Sequence, residues 1–252
     1  MPKKDYDYHY YSGRYRPALS SAEAMVPFLM QYASPNSVVD IGSAEGAWLS
    51  VFTKHGVKTI RGFDGPWGMK EDLLIPVERF TSLDLETFQA PMNERFDLAM
   101  SLEVAEHLTE KAADNFISQL TRLSDRVLFS AAIPGQGGLH HLNEQPPNYW
   151  AKKFESHSFV QLDILRPHFW TDNRIAWWYR QNIFLYENSK CISNSKEFST
   201  KDSFQGAHIV HPDAFNEKAR ELDIENASAS NLLKALRSKT GNKFSKIWKK
   251  LD

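Results

Sequence analysis

Short β-branched runs alternate with helical segments along most of the chain, and this alternation constrains the fold more than any other feature. The first run, residues 37–41, is short and dominated by the β-branched apolar residues Val38, Val39 and Ile41, which is typical of a buried strand. We predict further strands over 57–63, 79–83, 96–102 and 126–133. Helices are predicted over 20–32, 47–55 and 111–123, and a further helix within 144–157 that begins at Pro146-Pro147. Strands that alternate with helices form mostly parallel sheets through right-handed crossovers.

Two final runs, residues 160–165 and 175–186, are predicted to be strands with no helix between them. A connection that short permits only antiparallel pairing, so we place this pair at one edge of the sheet. The sequence therefore predicts an α/β fold: a Rossmann-like, seven-stranded, mostly parallel sheet with an antiparallel edge strand and helices on both faces.

The two ends of the chain differ from this pattern. Residues 5–16 are rich in tyrosine and are interpreted as an irregular or short helical lead-in. We assign residues 1–187 to the α/β domain with this lead-in. Residues 188–252 are assigned to a polar linker, a helix over 213–237 and a basic tail.

Charge and cysteine content limit the classes of partner and location. Thirty Lys and Arg residues balance 31 Asp and Glu residues, for a formal net charge of −1, so we expect neither nucleic acid nor an anionic membrane as partner. The single cysteine, Cys191, excludes a disulfide within the chain and favours a cytoplasmic location. We expect no signal peptide and no transmembrane segment, because no run of about 18 apolar residues occurs. The oligomeric state is left open.

A glycine-containing turn, Asp40-Ile41-Gly42-Ser43-Ala44-Glu45-Gly46, follows the first predicted strand. In open α/β sheets ligands bind beyond the carboxyl ends of the strands, and glycines there allow the backbone to turn tightly near a ligand. A nicotinamide-dependent oxidoreductase has a similar architecture, but its Gly-x-Gly-x-x-Gly turn requires glycine where this chain has Ala44.

Acidic residues also end the next two predicted strands. Asp64 ends the second strand, where a carboxylate can accept hydrogen bonds from both hydroxyls of a ribose. Asp84 ends the third, where it could meet an adenine amino group. The fourth strand runs into Ser101-Leu102-Glu103. Taken singly, Asp64 could be a solvated strand end and Asp84 a helix cap.

This series of strand ends resembles the class I S-adenosylmethionine-dependent methyltransferases over roughly residues 36–186. The resemblance implies S-adenosyl-L-methionine as cofactor. Carried over by position, the implied cofactor-binding residues are Asp40, Gly42, Ser43 and Gly46 for the methionine part, Asp64 for the ribose, Asp84, Leu85 and Trp67 around the adenine, and Ser101. The family's loop is closer to Asp-x-Gly-Cys-Gly-x-Gly, and this chain departs from it at Ser43-Ala44-Glu45.

The segment Glu103-Val104-Ala105-Glu106-His107 is the first candidate for the chemistry. On a helical turn, positions i, i+3 and i+4 share one face, so two carboxylates and an imidazole would point together. Such a set suits Mg²⁺ or Mn²⁺. The segment resembles the Glu-x-x-Glu-His motif of metal-dependent O-methyltransferases, and the metal set predicted is Glu103, Glu106, His107 and His141. The alternative is that His107 only positions cofactor or substrate, without a metal.

A second candidate segment follows the fifth predicted strand and contains His140, His141 and Glu144 in a glycine-rich stretch. Strands four and five are neighbours in this fold, so His141 can face His107. A hydroxyl acceptor requires a base or a metal that lowers its pKa. We therefore predict His107, His141 and Glu144 as catalytic residues. The alternative is a surface loop in which Glu144 caps the next helix.

The run from Ser101 to Trp150, with Trp178-Tyr179-Arg180-Gln181-Asn182, is similar to bacterial methyltransferases associated with polysaccharide and glycan biosynthesis. This resemblance implies O-methylation of a sugar or another small hydroxylated acceptor. Two alternatives stay open: a non-catalytic protein that binds S-adenosylmethionine, and N-methylation of a small molecule.

Overall fold

The computed structural model describes residues 8–65, 72–192 and 209–221, with residues 228 and 230. The prediction for Trp67, and those for most of the linker and for the basic tail, fall outside the described residues. Two compact units are distinguished, Met1–His211 and Pro212–Asp252. The second contains the helix Pro212–Glu221, which overlaps the first part of the helix predicted over 213–237. The boundary at residue 187 stays a prediction.

The described part of the first unit forms a seven-stranded sheet in the order β3-β2-β1-β4-β5-β7-β6. The strands are β1 (Ser37–Ile41), β2 (Thr59–Asp64), β3 (Phe80–Ser82), β4 (Leu98–Leu102), β5 (Arg126–Ser130), β6 (Phe159–Leu162) and β7 (Phe184–Asn188). The first five are parallel, whereas β7 is antiparallel to both β5 and β6. The predicted fold class is confirmed.

Helices cover both faces of this sheet. They are α1 (Tyr8–Ala33), α2 (Ala47–Lys54), α3 (Glu110–Leu123), α4 (Pro147–Glu155), α5 (Arg166–Phe169), α6 (Trp177–Asn182) and α7 (Ser189–Ile192). Alternate residues of β1 enter separate cores, Val38 with α1 and α2 residues and Val39 with α3 residues. No helix among the described residues is long and apolar enough to cross a membrane.

The helical lead-in is longer than predicted, because α1 begins at Tyr8 and continues without a break to Ala33. It includes Pro17 and Pro27. One face of its second half is fully buried through Ala22, Met25, Val26 and Leu29. This burial stabilises the second half of the helix despite Pro27 within it.

The strand predicted over 175–186 is wrong in its first half, which forms α6 before β7 begins at Phe184. Trp and Tyr favour strands, but tertiary contacts override that preference. Arg180 is buried and donates to the Trp170 carbonyl oxygen, and the buried Gln181 side chain donates to the Ile209 carbonyl oxygen. A helical turn directs these polar side chains to their partners. It also places α6 over the carboxyl end of the sheet.

Candidate active site

The turn after β1 is held against β2 by its own backbone. The N–H groups of Gly42 and Ser43 both donate to the Phe63 carbonyl oxygen, at 2.7 and 3.0 Å. The Ala44 N–H donates to Oδ2 of Asp64 at 2.6 Å. Gly42 has a φ of +90°, and a Cβ there would lie 2.2 Å from Cγ2 of Val104, so only glycine fits this position.

Two residues of this region present buried polar atoms without a hydrogen-bond partner among the described residues: Asp40 Oδ1 and Ser43 Oγ. Asp40 is 3% exposed. Burial, and then the negative charge of Asp64, hold the pKa of Asp40 well above its ordinary value. Ser101 Oγ, near the end of β4, is likewise buried without a partner. Such atoms mark places where a ligand's polar groups would be stabilised.

The carboxylate of Asp64 accepts hydrogen bonds from the N–H groups of Ala44 and Gly65. Burial raises its pKa to about 6, although these two donors act in the opposite direction. Each carboxylate oxygen has a second lone pair, so Asp64 can accept further donors. It lies at the end of β2, beside the turn after β1, as the sequence predicted.

The next predicted cofactor residues lie after β3. Asp84 is exposed, and its Oδ1 accepts from the Glu86 N–H, so it caps the short turn Leu85–Thr87. Leu85 is partly buried against the core on the α3 side. Contact of these two residues with an adenine stays a prediction.

Three of the four predicted metal-binding residues come together. The ligand atoms of Glu106, His107 and His141 all lie within 4.8 Å of one another. The two imidazoles meet edge to face, with centroids 4.8 Å apart and an interplanar angle of 89°. The N–H groups of Leu142 and Asn143 donate to the Glu106 carbonyl oxygen, which anchors the loop after β5 to the turn after β4.

Glu103 is not part of this group. Its φ is +56°, and its N–H donates to the carbonyl oxygen and Oγ of Ser130, so it precedes the turn Ala105–His107 and does not share a helical face with Glu106. Its carboxylate instead accepts from Gln136 Nε2 and Asn182 Nδ2. The assumption of one continuous helical turn was therefore incorrect.

The carboxylate of Glu144 is hydrogen-bonded to the imidazole of His141. Its Oε1 lies 2.8 Å from Nδ1 of His141, and its two oxygens accept from the N–H groups of Gly135 and Gly137. Burial alone would raise the pKa of Glu144, but these hydrogen bonds outweigh it and hold the pKa below its usual range. Because an ionised carboxylate can only accept, Nδ1 of His141 donates, and Nε2 is left to take a proton or bind a metal.

Gly138 supports the His141 ring from a further direction. A Cβ on Gly138 would lie 2.3 Å from Nε2 and 2.5 Å from Cε1 of His141. The imidazole therefore rests directly on a backbone position that tolerates no side chain. Neither this contact nor the hydrogen bonds that Gln136 and Asn182 donate to Glu103 were predicted from the sequence. The glycines around residue 138 and the run from Trp178 to Asn182 were the signals that the sequence offered.

Comparisons with known proteins give a consistent result for the fold. No family model and no curated protein matches the chain. Among solved structures, the chain is similar to magnesium protoporphyrin IX methyltransferase (ChlM) from Synechocystis PCC 6803 with bound SAH. The TM-score is 0.51 at 16% identity, over 68% of this chain and 84% of that one. It is also similar to the methyltransferase domain of bacterial CtHen1, with a TM-score of 0.50 at 19% identity over 68% and 98% of the two chains.

At these identities the likeness concerns the fold alone. The strand order, with β7 antiparallel between β5 and β6, supports the same assignment. The chain has the Rossmann-like fold of the S-adenosylmethionine-dependent methyltransferases.

Proposed function

We propose that this protein is an S-adenosylmethionine-dependent methyltransferase that methylates a hydroxyl group of a small acceptor. The observation that carries the proposal is the His141–Glu144 pair, which faces His107 at the carboxyl ends of β4 and β5. A protein that only bound the cofactor would have no need for a histidine oriented in this way.

The residues present fit the cofactor. At the end of β1, Asp40 Oδ1 and Ser43 Oγ are buried and have no hydrogen-bond partner among the described residues. At the end of β2, the carboxylate of Asp64 can accept further hydrogen bonds. The two strands are neighbours, so these groups line one continuous edge of the sheet. Asp40 and Ser43 would hold the methionyl end, and Asp64 the ribose hydroxyls.

The chemistry assigned to this chain's residues is proton removal. Bound S-adenosylmethionine supplies a methyl group already activated by its sulfonium. An alcohol is a poor nucleophile at neutral pH, so it gains from a base that removes its proton. Glu144 orients His141 and stabilises the imidazolium that results, in the same way as the carboxylate of a catalytic triad. A neutral amine needs no such base, which favours O-methylation over N-methylation.

The finer identity of the acceptor rests on sequence resemblance. A sugar, or another small hydroxylated compound of glycan or polysaccharide biosynthesis, is the acceptor class that we propose, together with a cytoplasmic location. A panel of hydroxylated sugars, assayed for S-adenosylhomocysteine release, is the first screen.

Substitution of His141 tests the proposed reaction. His141→Ala should lower the single-turnover rate by roughly 10²–10⁴-fold and leave the affinity for S-adenosylhomocysteine nearly unchanged. His140→Ala is the matched control, because His140 adjoins His141 but does not belong to the histidine–carboxylate group. Near-wild-type rates in both variants would exclude this loop from the chemistry and favour the cofactor-binding alternative.

The cluster of Glu106, His107 and His141 favours a second possibility, a divalent cation such as Mg²⁺ or Mn²⁺. These three residues would hold the ion, which would lower the pKa of an acceptor hydroxyl. Exhaustive chelation should then abolish turnover, and Mn²⁺ should restore it. In Glu106→Gln, calorimetry should show weaker Mn²⁺ binding. Full activity of chelated, metal-free protein would exclude the metal and leave His141 as the base.

A further inference from the structure

A second polar cluster lies at the same end of the sheet, on the side of α6. It consists of Glu103, Gln136 and Asn182. Gln136 Nε2 donates to Glu103 Oε2 at 2.9 Å, and Asn182 Nδ2 donates to Glu103 Oε1 at 3.1 Å and to Gln136 Oε1 at 2.9 Å. The three side chains therefore fix one another around the Glu103 carboxylate.

This arrangement determines which way the Asn182 amide faces. Its Nδ2 meets two acceptor oxygens, and the opposite orientation would place Oδ1 against a carboxylate. Oδ1 is consequently the amide atom that points away from Glu103 and Gln136. It is buried without a hydrogen-bond partner among the described residues, and Asn182 is only 2% exposed. A buried carbonyl oxygen in that state costs about 1–3 kcal/mol unless a donor binds it.

Tyr179 connects this cluster with the turn after β1. It lies three residues before Asn182 on α6, so the two side chains share a face. Its buried ring packs edge to face on Trp48 of α2, with centroids 5.4 Å apart. Burial raises the pKa of Tyr179, the charge of Glu103 raises it further, and that of Asp40 adds to this. The backbones that carry Asp40 and Glu103 come together at this end of the sheet, because β1 and β4 are neighbouring parallel strands and a Cβ on Gly42 would lie 2.2 Å from Cγ2 of Val104, the residue after Glu103.

The ends of β1 and β4, together with the neighbouring face of α6, therefore present several hydrogen-bond acceptors. Asp40 Oδ1 and Asn182 Oδ1 are both buried and unpartnered, and the Glu103 carboxylate lies beside Asn182. A ligand group that suits such a region carries several N–H donors and a positive charge, since charge-assisted hydrogen bonds to carboxylates are the stronger ones. A primary ammonium has both properties.

We propose that Glu103 and Asn182, together with Asp40, bind the α-ammonium group at the methionyl end of S-adenosylmethionine. This inference rests on the proposed function, which supplies the cofactor. Glu103 is then a cofactor-binding residue, and the metal would be left to Glu106, His107 and His141.

Calorimetry with two cofactor analogues tests the inference without an acceptor. S-adenosylhomocysteine has the amino-acid end, whereas 5′-deoxy-5′-methylthioadenosine lacks it and has the same nucleoside. Glu103→Gln, a nearly isosteric change, should weaken S-adenosylhomocysteine binding by about 10- to 100-fold through loss of a charged acceptor. Its affinity for the methylthio analogue should stay within about twofold of wild type. Asn182→Leu should act in the same direction.

Glu110→Gln, the same substitution at an exposed residue at the start of α3, is the control and should change neither affinity. Wild-type affinity for S-adenosylhomocysteine in both variants would overturn the inference while leaving the proposed function intact. Equal weakening of both analogues would also overturn it, since the cluster would then only support the fold. If Asn182→Leu lowers the melting temperature, its loss of affinity reflects a damaged fold, and the titrations of Glu103→Gln alone then test the inference. If the wild-type protein binds neither analogue, the proposed function itself fails.

Discussion

Substitution of Gly138 by alanine tests the geometry of the site separately from its composition, because every side chain that we propose to be catalytic is retained. The added Cβ would lie 2.3 Å from Nε2 of His141 and contact its ring at two further atoms within 2.8 Å. Real contacts of this kind require more than 3 Å, so the ring must move by roughly 1 Å. That displacement breaks the 2.8 Å hydrogen bond to Glu144. Misplacement of a catalytic group by about 1 Å costs roughly 10²-fold in rate.

The assay for Gly138→Ala is single-turnover methyl transfer to a hydroxylated acceptor, with calorimetric titration of S-adenosylhomocysteine on the same samples. We expect the rate to fall by about 10²-fold and the cofactor affinity to stay unchanged. Gly135→Ala is the matched control, because it lies in the same loop and has a positive φ of 84°, but a Cβ there meets nothing within 4 Å. It should lower stability modestly and leave the rate within about threefold of wild type.

Equal rates for Gly138→Ala and the wild-type protein would refute the reasoning, since the position of His141 would then be irrelevant to the chemistry. Equal loss in both glycine variants would refute it as well. The cause would then be backbone strain in the loop and not the contact with the imidazole.

Four further predictions concern the proposed cofactor-binding edge and the sheet. Asp64→Ala should weaken S-adenosylhomocysteine binding by roughly 1–3 kcal/mol in calorimetry. Because burial raises the pKa of Asp64 to about 6 and the ribose hydroxyls require its ionised form, affinity should fall about tenfold from about pH 7 to about pH 5, and Asp64→Asn should lack this contribution. Gly42→Ala, whose Cβ would meet Val104, should lower the free energy of unfolding by about 2–5 kcal/mol in a denaturant titration, and an unchanged midpoint would contradict this. Arg126→Met should lower the free energy of unfolding by about 3–5 kcal/mol, because Glu187 is 0% exposed and loses the guanidinium that lies 2.8 Å from its carboxylate. Adding Glu187→Leu should recover most of that loss, because the double variant no longer buries an unpaired charge.

The parallel part of the sheet could be predicted because each strand is a short apolar run between helical segments. Strands β1, β4 and β5 were predicted to begin within two residues of their observed starts. The error at 175–186 arose because the aromatic residues of α6 are typical of strands. The helix there is determined by buried hydrogen bonds of Arg180 and Gln181 to distant backbone groups, which no local pattern reveals.

The candidate site was likewise predictable only in part. The meeting of His107 with His141 follows from topology, because residues after neighbouring parallel strands reach the same edge of a sheet. The separation of Glu103 from Glu106 depends on a single left-handed residue held by Ser130, which residue spacing cannot indicate. The contact of Asn182 with Glu103 was not predicted, because the segment that contains Asn182 was interpreted as a strand.

The backbone of the turn after β1 has a consequence for which nucleotides this protein can recognise. Loops that cradle phosphates do so with successive N–H groups aimed outward at the anion. Here the N–H groups of Gly42, Ser43 and Ala44 all point back to β2, and that of Gly46 donates to the Ser43 carbonyl oxygen. With those donors already used, a diphosphate would find few hydrogen-bond donors at this turn, and the ionised carboxylate of Asp64 would repel it. On the proposed function, this edge of the sheet would favour nucleosides that carry no phosphate and would discriminate against dinucleotides and nucleoside triphosphates that share the same adenosine.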